Sequence, residues 1–224
     1  MKSFVVIGLG RFGMAIAREL AKLGHEVIAI DRDEAKINEI ADEVTHAMSG
    51  DIHDEGVLRR MGVAECDCAV VAFATSLQDN ILVTLLLKEL GVKRVIAKAR
   101  SEMHVRVLKK VGADQIIFPE EDMGIRLARS LDSDNLLDSI DIGGEYRVAE
   151  IRAPSEWYGK SLVELNLRRR SNLNVLLIKT QGGKGRLVNP SAEYVIRADD
   201  VIVVMGLDQD VSEVSDEKQN HRQG

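Results

Sequence analysis

Phe4-Val-Val-Ile-Gly-Leu-Gly-Arg-Phe-Gly13 decides the fold. The apolar run Phe4 to Ile7 reads as a buried strand. Gly8, Gly10 and Gly13 follow it in the order G-x-G-x-x-G, and Ala15, Ile16, Leu20 and Leu23 then recur at helical spacing. A strand, a glycine turn and a helix are what a phosphate-binding turn needs. The first glycine makes the bend, the second lets the backbone approach a pyrophosphate, and the third lets helix and strand pack closely. The helix N-terminus adds unpaired N–H groups and a positive dipole end. Asp31 closes a second apolar run, Val27 to Ile30, about twenty residues on, where a carboxylate can hold ribose hydroxyls.

Working outward, apolar runs alternate with helical patterns. Strands are expected at Val44 to Met48, Ala69 to Phe73, Arg94 to Ala97 and Gln115 to Phe118. Helices are expected over Asp33 to Ala41, His53 to Met61, Asn80 to Leu90, Glu102 to Val111 and Met123 to Leu131. Strands and helices in this rhythm, joined by short turns, mean parallel βαβ units. The fold class is therefore α/β: a Rossmann doubly wound parallel sheet with strand order 3-2-1-4-5-6 over residues 1–131. Residues 132–144 hold acids, serines and glycines and read as a hinge. Residues 145–212 read as a small α+β domain, with a hairpin around Thr180 and Lys184. Residues 213–224 are polar and read as a disordered tail.

Ligands of such sheets bind at the carboxyl ends of the strands, where the order reverses. That rule gathers Gly8 to Gly13 (with Leu9, Arg11 and Phe12), Asp31, Arg32, Asp51, Ala72 to Ser76 (with Thr75), Lys98, Arg100 and Glu120. Arg11 is the odd member. A cation in the first turn of a helix opposes the macrodipole, and a phosphate beside it reverses that sign. Arg32 could meet a 2′-phosphate, but the Asp31 carboxylate repels one, which favours NAD or an adenine ribonucleotide over NADP. Glu120, Glu121 and Asp122 either charge the N-terminus of the next helix or supply a carboxylate to a hard cation beside nucleotide phosphates.

Composition limits the alternatives. The chain has 224 residues, 45% hydrophobic and 29% charged, with a formal net charge of -6. That balance argues against a nucleic-acid partner bound through a basic surface. No apolar run approaches the roughly 18 residues of a membrane span, so a role at a membrane comes through a partner. Cys66 and Cys68 precede an apolar strand and read as buried thiols, since C-x-C is not a redox C-x-x-C. The histidines of the first domain are scattered, and His104 reads as a solvated or capping residue. No Ser/His/Asp arrangement or metal-ligand cluster is visible. The residues thus favour a ligand sensor over an oxidoreductase, with a Rossmann oxidoreductase or a free-standing nucleotide-binding module as the other readings.

Four segments carry a more specific resemblance: Val6-Ile-Gly-Leu-Gly-Arg-Phe-Gly13, Leu85-Leu-Leu-Lys-Glu-Leu-Gly91, Lys109-Lys-Val-Gly-Ala-Asp-Gln-Ile-Ile117 and Phe118-Pro-Glu-Glu-Asp-Met-Gly124. Together they resemble the RCK proteins, the cytosolic regulators of bacterial Ktr and Trk potassium transport, and most nearly the KtrA and KtrC type. The resemblance implies a nucleotide-binding RCK N-terminal domain and a small RCK C-terminal domain. It implies ATP, ADP or NAD(H) as ligand, and homodimers assembled into an octameric ring. It also implies docking of the ring on a membrane potassium-translocating subunit of the KtrB or TrkH kind, from the cytoplasmic side. By the same resemblance Arg11 contacts a γ-phosphate across a dimer, Asp31 holds the ribose, and Glu120 helps bind Mg²⁺, Ca²⁺ or Na⁺ at the dimer interface. Asn166 and Arg168 match a Leu-Asn-x-Arg motif that binds cyclic di-AMP in some relatives. Arg169 and Arg170 depart from the family pattern there.

Overall fold

A computed structural model describes residues 1–133, 135–180 and 185–216. The chain divides into two compact units, Met1–Pro119 and Glu120 onward.

The first unit is built on β1 (Ser3–Ile7), α1 (Arg11–Lys22), β2 (Glu26–Asp31), α2 (Glu34–Ile40), β3 (His46–Ser49), α3 (Glu55–Arg60), β4 (Cys68–Val71), α4 (Leu77–Glu89), β5 (Val95–Lys98), α5 (Glu102–Val111) and β6 (Gln115–Ile117). The six strands are parallel in the order β3-β2-β1-β4-β5-β6. Successive residues of β1 explain the layering, because side chains alternate faces along a strand. Val5 and Ile7 join Leu58, Val83, Leu87 and Leu108 on one side, and Val6 joins Met14, Ala17, Ile37 and Ile40 on the other. Both faces are apolar, as a central parallel sheet requires, and each fully buried Ile or Leu contributes about 1.5–3 kcal/mol. One stretch of this sheet is less covered. An apolar hollow of about 510 Å³ is lined by Phe4, Ile16, Leu20, Val70, Ile96 and Ile117, with Lys2, Asp67 and Arg94 also on its lining.

The helices of this unit begin on short polar side chains. Asp33, Asp54, Ser76 and Ser101 each accept hydrogen bonds from N–H groups of the helix they precede, α2 to α5 respectively. Such caps satisfy donors that otherwise have no intrahelical partner. Asp54 also sets the start of α3 at Glu55, two residues after the expected His53. The first helix differs: Gly10 precedes α1, makes no side-chain cap, and is followed by no acid in the first turn.

The second unit opens with α6 (Pro119–Asp132) and continues through β7 (Leu136–Gly143), β8 (Tyr146–Arg152), α7 (Leu162–Leu165), α8 (Leu167–Arg170), β9 (Asn174–Thr180), β10 (Gly185–Val188), β11 (Val201–Leu207) and α9 (Asp208–Ser215). Its antiparallel sheet runs β10-β9-β11-β8-β7. Ala149, Ile151, Ile178, Ile202, Val204, Trp157, Leu165 and Val211 form its core.

Three boundaries differ from the expectation. The first unit ends at Pro119 and not at residue 131, because the helix expected from Met123 starts at Pro119. Proline suits the first helical position, where its missing N–H is no loss. Residues 136–143, within the expected hinge, form the edge strand β7, tied to β8 and to the Arg126–Asp138 ion pair. Residues 213–215 belong to α9 and not to a tail. Residues 217–224 lie outside the described residues, as do 181–184 at the tip of the expected hairpin, although β9 and β10 pair as expected on either side of it.

Candidate functional site

The site is the end of the first unit's sheet, built from the glycine turn outward. Gly8 has φ +94 and its N–H donates to the Ile30 carbonyl at 2.8 Å. A Cβ there would lie 2.9 Å from Phe73 Cδ1, so Phe73 packs directly on the turn. A Cβ on Gly13 would lie 1.9 Å from the Gly8 carbonyl oxygen and 3.0 Å from Ala72 Cβ. The helix and the strand end therefore touch where only glycine fits. Gly10 has nothing within 4 Å of its Cβ position. Its side faces open space in front of an uncapped helix of 12 residues, which leaves first-turn N–H groups for an anionic ligand.

Asp31 is 8% exposed and ties three elements together. Its Oδ2 accepts from the Leu9 N–H at 2.6 Å and from Lys36 Nζ at 3.4 Å, and its Oδ1 accepts from the Asp33 N–H at 2.9 Å. Burial pushes this carboxyl up, but the Asp33 and Leu9 N–H groups and then Lys36 outweigh it, so Asp31 stays charged below the usual carboxylate range. Each carboxylate oxygen offers two lone pairs, so Oδ1 keeps capacity for a hydroxyl.

Gly8, Gly10, Asp31, Arg32, Lys36, Ile52, Phe73 and Thr75 line one cavity of about 430 Å³. A second, of about 480 Å³, is lined by Arg32, Ser49, Gly50, Asp51, Ile52 and His53 and shares Arg32 and Ile52 with it. The expected residues thus sort clearly. Gly8, Gly10, Asp31, Arg32, Asp51 and Thr75 line the cleft, and Arg11 is exposed at the first position of α1. Leu9 and Ala72 are buried beneath the turn and pack it. Lys98 lines neither cavity. Its Nζ lies 5.5 Å from the centre of the Phe12 ring, a cation–π contact beside the first turn of α1. Arg100 donates to the Ala74 carbonyl at 3.5 Å, on the loop that also carries Thr75.

Glu120 is the second residue of α6 and belongs to the second unit. With Glu121 and Asp122 it charges the helix N-terminus as the dipole favours. Among the described residues no group of three His, Cys, Asp or Glu is placed to hold a metal ion. Asn166 and Arg168 are exposed in the second unit, and Asn166 takes the left-handed conformation at φ +46 between α7 and α8. Asparagine is enriched in that conformation for local reasons.

Sequence reading missed Lys36, Ile52, His53 and Asp79 at this end of the sheet, while Phe73 lies within the expected stretch Ala72 to Ser76. Lys36 lies five residues past Asp31 on the next helix, a signal available in principle. Asp79 arrives only through the pairing of β4 with β1. His104, read as solvated or capping, is buried. Burial and then Arg100 push its imidazole down, which keeps it neutral. The expected thiols behave as read: Cys66 and Cys68 are buried, and burial pushes Cys66 up to about 11.

A TrkA-N domain model matches residues 4–119 and a TrkA-C domain model matches residues 147–219. The chain is 43% identical over 211 residues to Ktr system potassium uptake protein C of Bacillus subtilis, covering 94% of this chain and 95% of that protein. The chain belongs to the RCK family of Ktr and Trk potassium uptake proteins. Within that family, Ktr system potassium uptake protein A of Bacillus subtilis is 40% identical over 216 residues, covering 96% of each chain. A solved structure titled GsuK channel bound to NAD superposes with a TM-score of 0.64 at 19% identity, covering 95% of this chain and 38% of that one. That likeness concerns the fold.

Proposed function

We propose that this RCK chain is a nucleotide-sensing regulatory subunit of a Ktr-type potassium uptake system, with an adenine nucleotide or NAD(H) in the cleft of the first unit. The observation that carries the reading is the uncapped start of α1 facing the same cavity as Asp31, a phosphate site and a ribose site side by side. The chain does not catalyse a reaction. It changes conformation with its ligand and passes that change to a membrane potassium-translocating subunit, which places it on the cytoplasmic side of the membrane. Among the described residues no helix is long and apolar enough to cross a membrane, in keeping with attachment through a partner. Rubidium uptake into liposomes holding a Ktr-type membrane subunit tests this. Flux should change when the chain is added and change again with ADP or ATP; flux indifferent to the chain rejects the reading. NADH consumption with a pool of small oxidised substrates would instead favour the oxidoreductase alternative.

The surface of α6 supports self-association. No residue of α6 is buried, and Met123, Ile125, Leu127 and Leu131 are all exposed. Apolar side chains in such number on one helix mark a contact surface, here for a second copy and, through further copies, a ring. Leu127→Glu is expected to dissociate the assembly at micromolar concentration in light scattering; an unchanged mass places the interface elsewhere. A cation shared with Glu120 would need ligands from that second copy. The cyclic di-AMP reading of Asn166 and Arg168 rests on the motif resemblance alone.

Arg11 is the residue proposed to distinguish ATP from ADP. It is exposed, in a turn without acids, and a γ-phosphate offers it a charge-assisted hydrogen bond worth about 1.5–3 kcal/mol. Arg11→Ala should lower the ATP to ADP affinity ratio by about tenfold or more and leave ADP binding near its original value. An equal loss for both nucleotides in calorimetry makes Arg11 a general phosphate anchor.

A further inference from the structure

One side chain ties together two strand ends that bear on the phosphate turn. Asn80 closes the first turn of α4 and is fully buried. Its Nδ2 donates to the Phe73 carbonyl at 2.5 Å and to the Lys98 carbonyl at 3.1 Å. Phe73 stands two residues past β4 and Lys98 ends β5, and those strands are neighbours in the sheet. Both acceptors are carbonyls, so the amide must present its nitrogen to them. The loop from β4 to α4 has a second tie to the same side: Arg100, two residues past β5, reaches the Ala74 carbonyl.

Phe73 packs on Gly8 and shares the cavity lining with Thr75. The Lys98 ammonium lies over the ring of Phe12, in the first turn of α1. Asn80 itself lines neither cavity. Adhesion of α4 to the sheet does not call for an amide, because Val83 and Leu87 are fully buried and supply apolar contact. Asparagine there even weakens the fold on one side. Asn80 Oδ1 is buried with no hydrogen-bond partner among the described residues, and an unsatisfied acceptor loses its hydration without replacement. What the amide adds is two donors at a fixed separation, aimed at two backbone carbonyls. An apolar side chain cannot set the spacing of two strand ends in that way.

We propose that Asn80 is a positioning residue for the nucleotide: its clamp on Phe73 and Lys98 fixes Phe73 and Thr75 against the glycine turn, and so raises affinity without contact with the ligand. The proposal rests on the nucleotide-binding reading of that cleft. A site gains affinity when the groups that line it are held in place beforehand by hydrogen bonds behind them. With the clamp removed, the loop from β4 to α4 samples other positions. Apparent affinity then falls with the fraction of molecules that hold the fitting one.

ADP and NADH are titrated calorimetrically into the wild type, Asn80→Ala, Asn80→Ser and Leu87→Ala, well below every melting temperature. Leu87→Ala is the structural control, since it truncates a core residue of the same helix about two turns further along. It should melt lowest and bind as the wild type does. Asn80→Ala should bind about tenfold more weakly. Asn80→Ser, with one hydroxyl donor for two carbonyls, should fall between. Amide hydrogen exchange over residues 72–76 should quicken in both Asn80 variants, relative to the rest of the first unit, and not in Leu87→Ala. Asn80→Ser carries the same comparison if Asn80→Ala does not fold. Equal affinities in the Asn80 and Leu87 variants, or unchanged exchange over 72–76 in the Asn80 variants, overturn the positioning role and leave the nucleotide site standing. Absence of binding to the wild type overturns both.

Discussion

Asp31→Ala is expected to weaken adenine-nucleotide binding by about 1.5–3 kcal/mol, the range for a charge-assisted hydrogen bond to ribose. It should also destabilise the free protein, because the carboxylate is part of the turn. The Leu9 N–H, 2.6 Å from Asp31 Oδ2, would be left buried without an acceptor, at a cost of about 1–3 kcal/mol. Asp31→Asn separates the two effects. Its carbonyl can still accept one backbone N–H, so it should recover part of the melting temperature and little of the affinity. The two variants differ in acid as well. The folded carboxyl sits below its ordinary value, so its stabilisation is full above the unfolded value of about 4 and fades as pH falls through the folded one. The stability gap between wild type and Asp31→Asn should narrow below about pH 4. Calorimetry and melts read all three effects. Undiminished affinity in Asp31→Ala would remove the ribose from this position.

Gly13→Ala carries the other large effect. The new Cβ would sit 1.9 Å from the Gly8 carbonyl oxygen and 3.0 Å from Ala72 Cβ. The first obstacle is backbone and cannot rotate away. The turn must open, at a cost at or beyond the about 1–3 kcal/mol of ordinary overpacking, and nucleotide affinity should fall with it. Gly10→Ala is the matched contrast. Nothing lies within 4 Å of that Cβ, and Gly10 has φ -72, a backbone any residue adopts. Melting temperature should hold while binding weakens, since the methyl group occupies space that phosphates need. Loss of binding without loss of stability in Gly10→Ala, and loss of both in Gly13→Ala, would separate the ligand's role for one glycine from the packing role of the other. A Gly13→Ala protein of wild-type stability would contradict the close packing described.

How much of this was legible in the sequence differs between the two units. The central strands β1, β2, β4 and β5 were legible because each carries a short apolar run, and a parallel strand buried on both faces leaves that signature. The sheet-edge strands β3 and β6 have no buried residue, and β3 begins at His46 and not at Val44. The edge strand β7 was not legible. Its Ile140 and Ile142 are 57% and 53% exposed while Ser139 is buried, so its pattern is inverted and its acids suggested a hinge. Proline misled at residue 119 because the strand end and helix start it marks are adjacent. In the site, Gly8, Gly10, Asp31, Asp51 and Thr75 were legible because their place in the βαβ rhythm fixes their place at the sheet's end. His53 and Asp79 were not, since what they touch depends on which strands pair. Lys98 shows the limit of the positional rule. It ends β5 at the ligand-bearing edge, yet its ammonium lies over Phe12 and away from the cavity lining.

The central claim is that the cleft of the first unit binds an adenine nucleotide. Calorimetric titration of ADP and of NADH into the purified chain, beside Asp31→Ala, tests it most directly. The account predicts saturable binding of at least one of them to the wild type, with affinity lost in Asp31→Ala. Neither heat nor a shift in melting temperature with millimolar ADP or NADH would contradict it.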